Sequence, residues 1–151
     1  MYRAYKFRLY PNNEQRVLIH KTFGYYRFIY NYFLDKCKTN GYMKAYDMCI
    51  FLKEVDSCSL RCAIFNLEDS YKRFFFKKTR YPKFKNKYTK QTYRTNCIRS
   101  TYKGRTYSNI AFDLVNNTIK LPKLGLVKIR GYRNLEIING NFINMENIII
   151  K

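Results

Sequence analysis

Between Lys72 and Arg105 the chain carries thirteen Lys or Arg and no Asp or Glu. The cations are Lys72, Arg73, Lys77, Lys78, Arg80, Lys83, Lys85, Lys87, Lys90, Arg94, Arg99, Lys103 and Arg105. Phe74, Phe75, Phe76, Tyr81, Phe84, Tyr88, Tyr93 and Tyr102 are interleaved with them. A line of cations without carboxylates can neutralise successive phosphates and release their condensed counterions. Tyr and Phe between them can stack on unpaired bases. A merely solvated surface ordinarily mixes charge signs.

Other candidates lie outside that stretch. Lys6 and Arg8 share one side of the opening strand pattern, and Arg16, His20, Arg27 and Asn31 fall on one side of the helix after it. Ser57 begins a second helix, with Arg61 one turn in. A helix N-terminus suits phosphate, and Arg can read guanine edges.

The inventory for catalysis is poor. There is one histidine, and after Asp69 the acids are Asp113, Glu136 and Glu146, which are scattered. Metal-assisted phosphodiester cleavage needs clustered carboxylates. Neither a Gly-rich phosphate loop nor a Cys-x-x-Cys pair is present, and two thiols at Cys58 and Cys62 do not make a structural zinc site. The expectation is no active site, no metal and no cofactor.

Charge and composition agree with a polyanionic partner. The 151 residues include 30 Lys or Arg against 10 Asp or Glu, a formal net charge of +20. A surface this positive repels itself until something neutralises it. Hydrophobic residues at 46% can still build a core. The longest uncharged run, Ile137–Met145, is far short of the ~20 residues that span a bilayer. Cations at Arg3, Lys6, Arg8 and Arg16 interrupt any apolar signal core. These features predict no membrane partner and a cytoplasmic chain with reduced thiols.

The elements that position these residues follow from periodicity. Tyr2–Tyr10 alternates, with Tyr5, Phe7 and Leu9 on one face, and reads as a strand ended by Pro11. Asn12 and Gln15 have capping-box spacing. A helix over Asn13 to about Lys36 follows, with Leu18, Thr22, Tyr25, Ile29, Tyr32 and Phe33 as its buried stripe and Gly24 a point of weakness. A shorter helical piece is expected over Met43–Lys53. Asp56 or Ser57 caps a helix whose seam is Leu60, Ile64, Leu67, Tyr71 and Phe74. Pro82 excludes helix in the basic stretch. The last third is β-like: Ile110–Val115 and Thr118–Leu121 flank Asn116-Asn117, Val127 and Ile129 alternate with Lys128 and Arg130, and Leu135–Ile138 and Phe142–Met145 flank Asn139-Gly140-Asn141. The fold class is α+β, a small β-barrel interrupted by a block of helices, the lone first strand joining the C-terminal strands.

Several segments resemble the TnpB/OrfB proteins of insertion sequences, RNA-guided DNA nucleases related to type V CRISPR effectors. They are Tyr5-Lys6-Phe7-Arg8-Leu9-Tyr10-Pro11, Phe28–Leu34, Leu52–Ser57, Leu67–Phe75, Tyr81-Pro82-Lys83-Phe84-Lys85, Tyr93-Arg94-Thr95 and Ile119–Tyr132, collinear along the chain. The resemblance implies a wedge-type barrel over residues 1–11 and 86–151, split by a helical, helix-turn-helix-like recognition lobe over 12–85. It implies a guide RNA scaffold and transposon-adjacent DNA as partners, with Ser57 and Arg61 at positions that approach that DNA. It also implies a RuvC-like nuclease domain, which these residues do not contain. Asp47–Leu52 is shorter than in the family, and Asn144–Lys151 fits it poorly. The expectation is a nucleic-acid-binding N-terminal part without catalysis of its own. The rival expectations are a decayed, inert product, a stand-alone helix-turn-helix regulator, and a partner to a separately encoded nuclease portion.

Overall fold

The computed structural model describes residues 7–40, 54–96, 99–113, 116–130 and 147–150. The expected helix over Met43–Lys53 and the expected hairpin around Asn139-Gly140 lie outside them, as does Lys6. The described elements are β1 (Arg8–Tyr10), α1 (Asn13–Asn40), α2 (Ser57–Phe75), β2 (Tyr93–Asn96), β3 (Arg99–Tyr102), β4 (Arg105–Ser108), β5 (Ala111–Asp113), β6 (Thr118–Leu121), β7 (Gly125–Arg130) and β8 (Asn147–Ile150). They fall into two compact units. The first takes Met1–Ile19 and Cys97–Glu146, the second His20–Asn96 and Asn147–Lys151.

In the first unit a four-stranded antiparallel sheet has the order β1-β7-β6-β5. The first strand does join C-terminal strands, with Leu9 opposite Ile129. Alternation gives the sheet two unlike faces. Ile119, Leu121, Val127 and Ile129 are buried on one, where the Phe7 and Phe112 rings lie 5.5 Å apart. The β5–β6 pairing closes at Asp113 opposite Thr118, so the connection is longer than the two-residue hairpin that Asn116-Asn117 signals, and Asn117 sits at φ 49°. The β6–β7 turn needs positive φ at Lys123 and Gly125 and buries Leu124. The capping box forms: the Asn12 N–H donates to Gln15 Oε1 at 3.0 Å, and the Gln15 N–H donates to Asn12 Oδ1 at 2.8 Å. Gln15 Nε2 also donates to the carbonyls of Leu124 and Leu126, so the helix start is fastened to the β6–β7 turn. No sheet closes into a barrel among the described residues.

The second unit is built on α1 and α2. Helix α1 runs unbroken through Gly24 to Asn40, because a helix packed along its length tolerates one weak residue. Its buried side chains are Ile19, Thr22, Phe23, Tyr26, Ile29, Tyr30, Phe33 and Leu34. Of the expected stripe, Thr22, Ile29 and Phe33 are buried and Leu18, Tyr25 and Tyr32 are half-buried, with Ile19 and Tyr26 taking the core in place of their neighbours. The Tyr25 hydroxyl donates to Glu54 at 3.3 Å, which holds that side chain toward the surface. Asp56 caps α2, accepting from the N–H groups of Cys58 and Ser59 at 3.2 Å each. The seam of α2 is Ser59, Leu60, Cys62, Ala63 and Leu67, while Tyr71 and Phe74 are half-buried. Strand β8 pairs with β2, Thr95 opposite Ile148, and buries Ile150. The chain from Asn147 to Ile150 is thus a strand, although its sequence fits the resemblance poorly. No described helix is long and apolar enough to cross a membrane.

Candidate nucleic-acid interface

The basic stretch spans several elements. Its last third forms β2, β3 and β4, and the part between α2 and β2 is a fastened loop. Three anchors hold that loop within the second unit. The Tyr81 ring stands edge-on to Phe74 at 5.3 Å and to Tyr71 at 5.7 Å, and the Tyr71 and Tyr81 hydroxyls are 3.0 Å apart. Pro82 beside it is buried. Next, the Lys85 backbone is held by the Asn31 side chain of α1, and its ammonium sits 4.2 Å from the Tyr30 ring and 4.9 Å from the Tyr26 ring. Finally, Arg27 donates to the Gln91 side chain, whose Nε2 donates back to the carbonyls of Asn86, Lys87 and Thr89. Asn86 Oδ1 accepts from the N–H groups of Tyr88 and Thr89, an Asx turn at the loop tip.

These anchors sort the candidate residues. Lys72, Arg73, Lys77, Lys78, Arg80, Lys83, Lys87, Lys90 and Arg94 are exposed. Phe75 and Phe76 are each 73% exposed and Tyr88 84%, so large rings stand in water among those cations. Lys78 lies 6.0 Å from the Phe76 ring and Lys87 5.1 Å from the Tyr88 ring. Aromatic faces beside ammonium groups are a surface for stacking and charge neutralisation together. Lys85 differs: it is half-buried, and burial pushes its pKa below the ordinary lysine value. Arg27 and Asn31 are half-buried too, engaged in holding the loop.

Burial acts in the opposite sense on neutral groups. It pushes the Tyr26 hydroxyl above the ordinary tyrosine pKa, and Tyr71 rises by burial and by its hydrogen bond with Tyr81. The Cys58 and Cys62 thiols are likewise pushed up by burial, the signature of packing rather than reactivity.

At the head of α2, Ser57 and Arg61 are exposed. The Cys58 and Ser59 N–H groups are already occupied by the Asp56 carboxylate, so the helix end offers Arg61 rather than open donors. His20 and Arg16 are exposed on α1. In the first unit Arg8, Lys103 and Arg105 are exposed, and Arg99 lies in β3.

Sequence reasoning passed over one surface. The register sets Arg8 opposite Arg130 and Tyr10 opposite Lys128, with Lys120 opposite Leu126 one strand further on. All six are exposed, so the outer face of the four-stranded sheet is basic. The alternation of Val127 and Ile129 with Lys128 and Arg130 carried the signal. Only the pairing of β1 with β7 brings Arg8 to the same face. Among the described residues no group of three or more His, Cys, Asp or Glu is gathered as a metal site would require.

Comparison with known proteins gives these surfaces a context. Residues 1–43 match the helix-turn-helix domain of the IS605 OrfB family. The chain is 30% identical over 138 residues to a Streptomyces pristinaespiralis protein described as a candidate RNA-guided DNA endonuclease, covering 80% of this chain and 32% of that protein. It is 26% identical over 149 residues to InsQ of Escherichia coli (strain K12), described in the same words, covering 87% of this chain and 34% of InsQ. The chain spans about a third of the length of these relatives.

Proposed function

We propose, for a chain that is an N-terminal region of the TnpB/OrfB type, that its work is to bind a structured RNA and the DNA beside a mobile element, without cutting either. The observation that carries this reading is the anchored loop Phe76–Thr92. Its backbone is pinned to α1 and α2 while Lys77, Lys78, Lys83, Lys87 and the Phe76 and Tyr88 rings are exposed. A loop ordered before binding does not lose that freedom when its partner arrives. The relatives' printed descriptions supply the RNA-guided, DNA-directed context. We read the four-stranded sheet as part of a wedge-type barrel over 1–11 and 86–151, and residues 12–85 as the recognition lobe. The pairing of β1 with β7 supports joining the first strand to the C-terminal strands.

The test is the salt dependence of binding to a single-stranded RNA. Replacing Lys77, Lys78, Lys83 and Lys87 together with Gln is expected to flatten the log–log slope by up to about 3, at ~0.7 for each phosphate no longer neutralised. An unchanged slope overturns the role of the loop. A second reading, a stand-alone DNA-binding regulator, is favoured by the helix-turn-helix match itself. It expects tight, sequence-specific duplex binding without RNA.

A further inference from the structure

Strands β3 and β4 pair with each other and, among the described residues, with no third strand. A two-stranded hairpin alone is marginal in water and ordinarily needs an apolar face to cover. Among the described side chains of this one none is buried: Ser100, Thr101, Tyr102, Arg105 and Tyr107 are all exposed, Tyr102 at 63% and Tyr107 at 53%. Its base is held where Ser108 Oγ donates to the Ile110 carbonyl at 2.6 Å, beside the buried Ile110 side chain.

The tip adds a second observation. Lys103 and Gly104 have φ of 48° and 72°, the pair of left-handed residues that a type I′ turn requires. Asn or Asp is favoured at the first of these positions, because a short polar side chain bonds locally there. Lysine has no such compensation. The turn thus accepts backbone strain to carry an ammonium group at its apex, with Lys103 Nζ 5.5 Å from the Tyr102 ring. The register sets Tyr102 opposite Arg105 and Ser100 opposite Tyr107, so one face of the ribbon carries two tyrosines and an arginine.

We propose that β3–β4 is a ribbon that enters the major groove of B-form duplex DNA. The inference rests on the reading that the chain binds nucleic acid, and adds the duplex and the groove. Paired strands lie about 4.8 Å apart, and the major groove, about 12 Å wide, admits a two-stranded ribbon. The major groove of an A-form duplex is too narrow and deep for side chains to read. With the ribbon inserted, Lys103 at the apex meets phosphate. Arg105, on the tyrosine face, reaches base edges, where guanine O6 and N7 accept from a guanidinium. Tyr102 and Tyr107 flank it as apolar walls that can lie against thymine methyl groups.

The experiment compares the full chain with a Lys103→Asn/Arg105→Gln variant on a mixed-sequence DNA duplex, an RNA duplex and a single-stranded RNA. Asn suits the turn, so the hairpin is retained, and Lys103→Asn alone serves if the double variant does not fold. The duplex DNA slope is expected to fall by about 1 in either variant, at ~0.9 for the one phosphate that Lys103 no longer neutralises. Protection of guanine N7 from dimethyl sulfate should be lost in the double variant, and the slope on single-stranded RNA should fall by less than that on the DNA duplex. An unchanged DNA slope, no N7 protection by the parent, or an equal loss on the RNA duplex overturns the ribbon. If the parent binds RNA normally, that result leaves the wider reading standing. If the parent binds no nucleic acid at all, both readings fall.

Discussion

Asn31 grips Lys85 at both ends of its own backbone. Its Oδ1 accepts from the Lys85 N–H at 2.8 Å, and its Nδ2 donates to the Lys85 carbonyl at 2.8 Å. One side chain of α1 thereby does for the loop what a neighbouring strand would do, and fixes the register of every cation around it. Asn31→Ala removes both bonds and is expected to cost about 2–3 kcal/mol, at ~1 kcal/mol per bond plus the partly buried groups left unpaired. Asn31→Asp keeps the acceptor and should recover about half. Urea unfolding of the three proteins checks the order.

Lys85 and its neighbours should behave differently. Its ammonium rests on Tyr26 and Tyr30, so Lys85→Met should leave the salt slope of RNA binding unchanged, where Lys83→Gln or Lys87→Gln each lowers it by ~0.7. The pH dependence has a definite sign. Burial lowers the folded pKa below the ordinary 10.5, so between those two values the unfolded chain binds more protons. Lys85 therefore makes stability rise with pH across that window, and Lys85→Met removes the rise. Denaturation at a series of alkaline pH values reads both.

Tyr26 acts in the opposite direction at high pH. Its folded pKa is raised above the ordinary 10.0 by burial. Its contribution is fully present below 10.0 and is lost as pH climbs through the folded value. Tyr26→Phe loses the hydrogen bond from Asn66 and should be weaker by about 1 kcal/mol at neutral pH. It should also show a shallower loss of stability above pH 10. Tyrosinate absorbance, followed with unfolding, distinguishes the two effects.

Asp56 is the cap on which α2 depends. Asp56→Ala frees the Cys58 and Ser59 N–H groups and should cost about 1–2 kcal/mol, Asp56→Asn much less. If Arg61 contacts DNA, Arg61→Gln should weaken duplex binding without moving the melting temperature by more than a degree or so, since the side chain is exposed.

Incubated with supercoiled plasmid, magnesium and any RNA that co-purifies, these 151 residues are expected to bind and not to nick. Nicking abolished by Asp113→Ala in a folded protein would refute that expectation.

The sequence made some of this legible and not the rest. The capping box at Asn12 and Gln15, the Asp56 cap and the β5–β6–β7 meander are local, each set by a few adjacent residues, and local chemistry can be read directly. The buried stripe of α1 was read in part: Thr22, Ile29 and Phe33 belong to it, while Ile19, Phe23, Tyr26, Tyr30 and Leu34 were missed. The helix is aromatic on more than one side because a non-helical loop covers it at Tyr26, Asn31 and Tyr30, and no period announces such a cover. The hairpin β3–β4 was invisible for the converse reason: among its described side chains none is buried, and its sequence has no apolar alternation to detect. Among the candidate cations, exposure separates Lys83 and Lys87 from Lys85, a distinction that charge counting could not make.

The strand pairings also set the order in which the chain can fold as it is made. β1 is synthesised first, yet its partner β7 is the last described strand of its unit, and β2 waits for β8 in the same way. Helices α1 and α2 meanwhile form from local interactions as soon as they emerge. A nascent chain therefore presents its helices and its basic loop while both late strand pairs are still open. Any RNA within reach meets the cations before the protein is finished.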